Sequence, residues 1–144
     1  MCVKKLFLLL SFVSFNGYAY EIEHYARVIN ASRKSITVDY DVCKYTNSAF
    51  TQCEPHQDTI AENSSSANYF EVLVDWIKNS SSGKSIYTFI VIKQVTNGSI
   101  TTRFRTNESQ KNDNPEIPLQ GYCRTYSSAL VIQEIEQYFQ CRKF

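Results

Sequence analysis

The sequence lacks the short motifs that mark the common catalytic and metal sites. It contains no H-E-x-x-H pattern, no G-x-S-x-G pattern and no C-x-x-C pair. Gly83-Lys84-Ser85 is similar to the end of a phosphate-binding loop, but Lys78 occupies the position where such a loop needs its first glycine. Because these motifs are absent, no short sequence pattern indicates a zinc protease, a serine hydrolase, a dithiol redox protein or a nucleotide-binding protein.

Histidine is also scarce, and His24 and His56 are the only two. Any histidine-dependent mechanism therefore has to use one of them. Glu54 and Asp58 lie close to His56 in the sequence and offer a set of oxygen and nitrogen metal ligands. A solvated polar loop explains the same residues more simply, since no pattern fixes their geometry. We predict neither a metal nor a cofactor.

The chain has one long apolar run, and it lies at the N-terminus. Two lysines precede the run, which extends from Leu6 to Phe15, and Asn16-Gly17-Tyr18-Ala19 follow with small residues at the positions that precede a cut. These are the three parts of a secretory signal, whereas a membrane span needs roughly 20 apolar residues. We therefore predict a cleaved signal peptide at 1–19. Residues 20–144 would form one domain without a membrane span, exported as a secreted or periplasmic protein.

Removal of the signal would change both the net charge and the cysteine count. The formal net charge of +1 falls by two, to −1, because two lysines and no acidic residue are removed. A nearly neutral chain has no field to attract nucleic acid or an anionic membrane, which argues against both partners. Cys2 is also removed, so an odd number of cysteines becomes an even number, as an oxidising compartment favours.

The four remaining cysteines are predicted to form two disulfides. Sequence alone allows three pairings, and we favour Cys43–Cys53 with Cys123–Cys141 because each pair is close in sequence. Zinc is the alternative use of four cysteines, but zinc sites usually contain close pairs such as C-x2-C, and no such pair occurs here.

Alternating apolar and polar residues predict strands through much of the chain. Ser35 to Cys43 and Tyr69 to Lys78 show the two-residue period of a strand with one wet face, and Ile22 to Asn30 shows it more weakly. Ile86 to Val95 is apolar on both faces, which indicates a central strand. Asn97-Gly98 then predicts a two-residue hairpin turn, with Ser99 to Thr106 as the return strand.

The remaining segments are predicted from their polarity and length. Lys44 to Gln57 and Asn107 to Pro118 are interpreted as open loops, and Asn79 to Lys84 as a turn. For the C-terminal part we favour two strands, Ala129 to Ile135 and Tyr138 to Lys143, over the alternative of a helix. The predicted fold class is all-β: a two-sheet antiparallel β-sandwich of about seven or eight strands, stabilised by disulfides.

Two pairs of charged residues are candidates for a functional surface. Asp39 and Asp41 lie on one strand face about 6.8 Å apart, where two carboxylates can divide acid and base roles. Arg103 and Arg105 also share a strand face and, with Arg124 and nearby tyrosines, offer a surface for an anionic or sugar ligand. For each pair an ordinary solvated strand face is the simpler explanation.

Five N-x-S sequons are present, at Asn30, Asn63, Asn79, Asn97 and Asn107. Such asparagines accept glycans only when they are exposed and the host cell glycosylates exported proteins. The sequence identifies neither condition, so glycosylation is left open.

The function predicted from these features is that of a non-catalytic secreted or periplasmic binding or interaction module. Its ligand would be an unknown protein or a carbohydrate. One alternative is a small secreted hydrolase with a carboxylate or histidine site. The other is a subunit or inhibitor that acts by sheet-edge pairing, with the apolar face of Tyr87, Phe89 and Val91 as a partner surface.

Overall fold

The computed structural model describes residues 19–62, 68–79 and 85–144. All but the last residue of the predicted signal peptide lies outside the described residues. So do positions 80–84 of the predicted turn and the sequon at Asn63. Within the described residues, no helix long and apolar enough to cross a membrane is found.

Every element in the described part of the chain is a β-strand, which confirms the all-β fold. The strands are β1 (Ala19–Asn30), β2 (Ile36–Thr46), β3 (Ala49–Ile60), β4 (Asn68–Asn79), β5 (Ser85–Thr96), β6 (Thr101–Phe104), β7 (Leu119–Gln120), β8 (Arg124–Thr125), β9 (Leu130–Ile135) and β10 (Tyr138–Lys143). The C-terminal segment is the favoured strand pair β9–β10, turned at Glu136-Gln137, and the helical alternative is wrong.

Hydrogen bonds join these strands into one network in the order β10-β9-β1-β4-β5-β2-β3. Strands β6 and β8 attach to β5, and β7 attaches to β6. The β1–β9 and β6–β7 pairs are parallel, so the purely antiparallel arrangement that we predicted is wrong for these two pairs. Both connect strands that are far apart in sequence, and long connections permit either direction. The predicted division into two sheets stays a prediction.

Strand β5 has the central place that its two apolar faces predict. One edge pairs with β2 along most of its length. The other edge is divided among three partners: β4 pairs with residues 85–87, β8 with residues 90–91 and β6 with residues 94–96. The register against β2 shifts between Asp39 and Tyr40, a bulge that bends the strand locally.

Strand β3 occupies most of the segment that we predicted to be an open loop, Lys44 to Gln57, so that prediction is wrong. Strand β3 is an edge strand with one partner among the described strands, and most of its side chains are exposed. Its sequence therefore lacks the alternation of apolar and polar residues that predicts a strand. Asn47 and Ser48 connect β2 to β3 with φ angles of 50° and 63°. A two-residue hairpin loop with positive φ at both positions matches the right-handed twist of the flanking strands.

The turn at Asn97-Gly98 is longer than the sequence predicts. Thr96 pairs with Thr101, so four residues connect β5 to β6. The Asn97 Oδ1 atom accepts hydrogen bonds from the backbone N–H groups of Ser99 and Ile100 at 2.9 and 2.7 Å. An asparagine side chain that bonds the backbone in this way replaces the tight hairpin turn by a wider one.

The hydrophobic core is assembled from one face of each long strand. Its fully buried side chains include Val28 of β1, Ile36 and Val38 of β2, Val74 of β4, Ile90, Ile92 and Val95 of β5, Ile132 of β9 and Phe139 of β10. A buried hydrogen bond from the Phe139 N–H to Thr102 Oγ1, 2.8 Å long, joins β10 to β6 across this core.

Both favoured disulfides are present, which confirms the predicted pairing. Cys43–Cys53 links β2 to β3, and Cys123–Cys141 links the residue before β8 to β10. Cys43 and Cys123 are almost completely buried, whereas Cys53 is exposed.

Candidate functional site

The face of β2, β3 and β5 that points away from the core is called the outer face here. Val38 and Tyr40 of β2 are buried in the core, so the alternation of the strand places Asp39 and Asp41 on the outer face. On β5, the register sets Val91 opposite Asp41 and Phe89 opposite Cys43. The side chains of this face surround two neighbouring depressions.

The first depression has a volume of about 620 Å³ and brings together three of the predicted site residues. Asp39, His56 and Arg103 line it, together with Lys93 and Gln110. Arg105 is not among its lining residues.

The second depression has a volume of about 580 Å³ and has a more aromatic wall. Tyr45, Phe50 and Tyr122 line it, as do Asp41 and Arg124.

Thr106 lines both depressions. We call the two together the groove. It extends over the outer face from a charged end at Asp39 and Lys93 to an aromatic end at Tyr122.

The two candidate aspartates are held by different partners. Gln57 Nε2 donates a 2.6 Å hydrogen bond to Asp39 Oδ1, and Lys93 Nζ forms a 2.8 Å ion pair with Asp41 Oδ1. A shared proton between two carboxylates needs the two groups in contact. Here each carboxylate is bound to a neighbouring side chain, so the pair is not arranged as a catalytic dyad.

The two histidines lie in different surroundings. His56 is exposed at the edge of the sheet and stacks on the Tyr40 ring, with centroids 5.4 Å apart and an interplanar angle of 17°. Tyr40 in turn stacks on Phe70. His24 places its Nε2 atom 2.7 Å from the carbonyl oxygen of Tyr126. Of the two, His56 alone lines the groove.

Arg103 and Arg105 are bound to the loop at 107–118. Arg103 Nε and Nη2 both donate to the carbonyl oxygen of Ile117, at 3.0 and 2.8 Å, and Nη1 donates to Asp113 Oδ1 at 2.9 Å. This hydrogen bond, with the charge of Arg103, holds the pKa of Asp113 below its usual value. Arg105 Nη1 donates to the carbonyl oxygen of Gln110 at 2.7 Å. The two arginines therefore fix one wall of the groove.

Arg124 lines the second depression and, unlike Arg103 and Arg105, has no protein acceptor for its guanidinium in the described part of the chain. Its guanidinium carbon lies 4.1 Å from the ring centroid of Tyr122 and 5.1 Å from that of Phe50, which is the geometry of a cation–π contact. Among the described residues, no hydrogen-bond acceptor or ion-pair partner is found for it.

An aromatic cluster continues from the second depression along β5. Tyr45, Phe50 and Phe89 contact one another with centroid distances of 4.9 to 5.5 Å. Tyr126 extends the cluster, 5.1 Å from Phe89 and 4.9 Å from Tyr87. The apolar outer face of β5 was predicted from sequence, whereas the parts contributed by Tyr45, Phe50 and Tyr122 were missed. Tyr45 and Phe50 are aromatic residues in the segment that was interpreted as an open loop, Lys44 to Gln57, and Tyr122 lies in a segment for which no element was predicted.

No metal site is assembled from the residues predicted as metal ligands. In the described part of the chain, the group of metal-ligating side chains within 4.8 Å of one another is Asp41, Cys43 and Cys53. The two sulfurs are joined in a disulfide, and zinc requires thiolates. Asp58 accepts a hydrogen bond from Tyr40, so it is not free to join His56 as a ligand.

The outward edge of β3 is poorly suited to pairing with another strand. Pro55 lies in the middle of β3, opposite Asp41, and proline has no N–H to donate to an added strand. Gln52 has a φ of 51°, and the register against β2 shifts near this point. A proline and a bulge are the devices by which natural edge strands resist edge-to-edge pairing.

Burial and the hydrogen bond to Asp58 raise the pKa of Tyr40 well above its usual value of about 10. A tyrosine with a raised pKa in the folded state contributes stability below pH ~10, and this contribution is lost as the pH rises further and the unfolded chain ionises. We therefore expect the free energy of unfolding to fall between pH 9 and pH 11, and to fall less steeply for Tyr40→Phe. At pH 7 this variant should lose about 1 kcal/mol, the value of one hydrogen bond.

Urea unfolding at pH 7, 9 and 10.5 measures this effect. Tyr25→Phe is the matched control, because Tyr25 is 61% exposed and should keep the pH profile of the natural protein. Equal pH slopes for Tyr40→Phe and the natural protein would contradict the assignment to Tyr40.

No protein-family model, no curated protein and no solved structure matches this chain.

Proposed function

We propose that this protein is an exported, non-catalytic binding module whose ligand occupies the groove on the outer face. The observation that carries the proposal is that two depressions, one charged and one aromatic, lie next to each other on one face and share Thr106 as a lining residue. Ligand sites combine apolar and aromatic walls with a few well-placed polar groups, and the groove has this composition. The two disulfides support export, because such bonds persist in oxidising compartments.

The finer architecture is part of the same proposal. Strands β10, β9, β1 and β4 would form one layer and β5, β2 and β3 the other, as in the predicted sandwich. In support, Val28 and Phe139 of the first group lie in one buried cluster with Val38 and Ile92 of the second. Two layers with a common core leave the outer face of β2, β3 and β5 available to a ligand.

A carbohydrate suits the groove better than a protein surface does. A stable protein partner usually covers about 800 Å² of surface, whereas the two depressions are open hollows of about 620 and 580 Å³. Tyrosine and phenylalanine rings offer flat apolar faces to the C–H groups of a sugar, and the side chains at the other end supply hydrogen bonds.

A hydrolase is the second candidate, because Asp39 and His56 line the same depression. It is the weaker of the two. Asp39 is bound to Gln57 and Asp41 to Lys93, so neither carboxylate is positioned to exchange a proton with the other. Partner binding by strand addition is weaker still, since Pro55 interrupts the available edge of β3.

Thr106→Trp tests the proposed function, because a large side chain on the shared wall would obstruct the groove where the two depressions meet. We expect the natural protein to bind members of a glycan array and Thr106→Trp to bind them at least tenfold more weakly. Gln133→Trp is the control, since Gln133 is exposed on β9 and does not line the groove. Thermal unfolding verifies that both variants fold.

Three outcomes would contradict the proposal. Equal loss of binding in both tryptophan variants would indicate that the ligand does not bind in the groove. Absence of binding to every glycan and to a peptide array would contradict the proposal that the protein is a binding module. Release of reducing ends from a glycan, abolished by His56→Ala, would favour the hydrolase.

A further inference from the structure

Arg124 differs from the other arginines of the groove in what its guanidinium contacts. Arg103 and Arg105 donate hydrogen bonds to backbone carbonyl oxygens of the loop at 107–118. Arg124 instead stacks on Tyr122 and lies near Phe50, and it is half-buried at the wall of the second depression. Stacking restrains the plane of the guanidinium, so that its N–H donors are already oriented when a ligand arrives.

The acidic residues around this depression do not neutralise Arg124. Asp41 also lines the depression, but its carboxylate is paired with Lys93 Nζ at 2.8 Å. Glu108 is exposed on the rim, and no ion pair joins it to Arg124 among the described residues. A half-buried arginine without a counter-charge therefore faces the aromatic end of the groove.

A guanidinium in this environment is suited to bind an oxyanion. Arginine binds carboxylates through two parallel N–H···O bonds, and charge-assisted bonds of this kind are about twice as strong as neutral ones. Tyr45 and Phe50 line the same depression, with their rings tilted by 54° to each other, and they place apolar ring carbons beside the cation. A ligand that matches both features has a ring to lie on the aromatic side chains and an acidic group on that ring.

We infer that the groove binds an acidic saccharide and that Arg124 holds its carboxylate. This inference deepens the proposed function and rests on it. It adds to the proposed function that the ligand is negatively charged and that Arg124 is the residue that binds the charged group. The formal charge of the whole chain is close to neutral, so selection of an anion depends on this one contact more than on a general electrostatic field.

Isothermal titration of the full mature protein with three trisaccharides tests the inference: a galacturonate trisaccharide, its neutral galactose counterpart and a sulfated analogue. We expect the galacturonate form to bind about tenfold or more tightly than the neutral form. Arg124→Gln should weaken binding of the galacturonate form by roughly tenfold or more, as expected for a lost charge-assisted contact, and so remove most of that preference. Arg124→Lys should restore only part of it, because lysine keeps the charge and loses the planar fork.

The matched control is Arg142→Gln, which removes an exposed arginine of β10 that does not line the groove and should bind as the natural protein does. Equal binding of acidic and neutral trisaccharides, unchanged by Arg124→Gln, would overturn the inference and leave the proposed function standing. Preference for the sulfated form would overturn the carboxylate assignment. Binding of an acidic peptide but of no saccharide would overturn the ligand class. Absence of every binding signal would overturn the proposed function as well.

Discussion

Replacement of Cys123 and Cys141 together by alanine should lower the free energy of unfolding by about 3–5 kcal/mol. The bond closes a loop with a sequence separation of 18, for which the loss of chain entropy in the unfolded state predicts about 3 kcal/mol. Cys123 is 1% exposed and belongs to the hydrophobic core, so its truncation adds the cost of a small cavity. Urea unfolding of the oxidised proteins measures the difference.

The double replacement of Cys43 and Cys53 is the matched control. That bond joins β2 and β3, which are already held together by a hydrogen-bonded ladder and the short turn at Asn47-Ser48. Cys53 is exposed, Cys43 is buried but lies outside the core cluster that contains Cys123, and the closed loop is shorter, with a sequence separation of 10. We expect a smaller loss of stability, below about 3 kcal/mol. An equal or larger loss of unfolding free energy for the Cys43/Cys53 pair would contradict the view that Cys123–Cys141 is the disulfide that stabilises the fold more.

Asn30→Ala should lower the free energy of unfolding by about 3 kcal/mol, because it leaves several buried backbone groups without partners. Asn30 is 0% exposed. Its Nδ2 atom donates to the carbonyl oxygens of Lys34, Ala61 and Ile60 at 2.9, 3.0 and 3.2 Å. Its Oδ1 atom accepts from the N–H and hydroxyl of Ser32 at 2.9 and 2.7 Å. One side chain thus joins the end of β1 to the connection before β2 and to the end of β3.

Two further variants separate the donors from the acceptor of Asn30. Asn30→Asp keeps the size and the Oδ1 acceptor but sets a buried carboxylate oxygen against three carbonyl oxygens, so we expect a loss at least as large as for alanine. Asn97→Ala is the control, since Asn97 accepts two backbone hydrogen bonds in a more exposed turn and should cost about 1 kcal/mol. A loss below 1 kcal/mol for Asn30→Ala, measured by thermal and urea unfolding, would contradict this role.

The burial of Asn30 also answers part of the sequon question. Its amide nitrogen donates to backbone carbonyls inside the protein, so this asparagine cannot carry a glycan in the folded state. Asn107 is exposed beside the groove and has no such restriction. The sequence pattern is the same at both positions, and only the tertiary contacts distinguish them.

The strands that could be predicted are those with one face in the core. In β2, the buried and exposed positions alternate because Ile36 and Val38 enter the core while Asp39 faces outward. Strand β3 was missed because an edge strand with most side chains in solvent has no such alternation. Strand β3 pairs with β2 through a turn in which Asn47 and Ser48 have positive φ angles. Asparagine and serine indicate a positive φ angle less strongly than glycine does.

The candidate site was predictable to a smaller extent than the fold. Local alternation was enough to place Asp39 and Asp41 together on one outer face. It did not reveal that Gln57 and Lys93 bind them. Nor could it show that Arg103 and Arg105 hold a loop, since those contacts depend on the path of a segment without regular structure.

The sequence by itself determined the all-β class and the central position of β5, and it favoured the disulfide pairing that the structure contains. Each of these depends on short-range patterns: a two-residue period, cysteines close in the chain and an apolar run. The tertiary structure alone decided where the groove lies and which arginine faces it. Arg124 meets Phe50 only because β3 folds back on β2 while β8 attaches to β5. Contacts between segments so distant in sequence are selected by the packing of the whole sheet, and no local pattern encodes them.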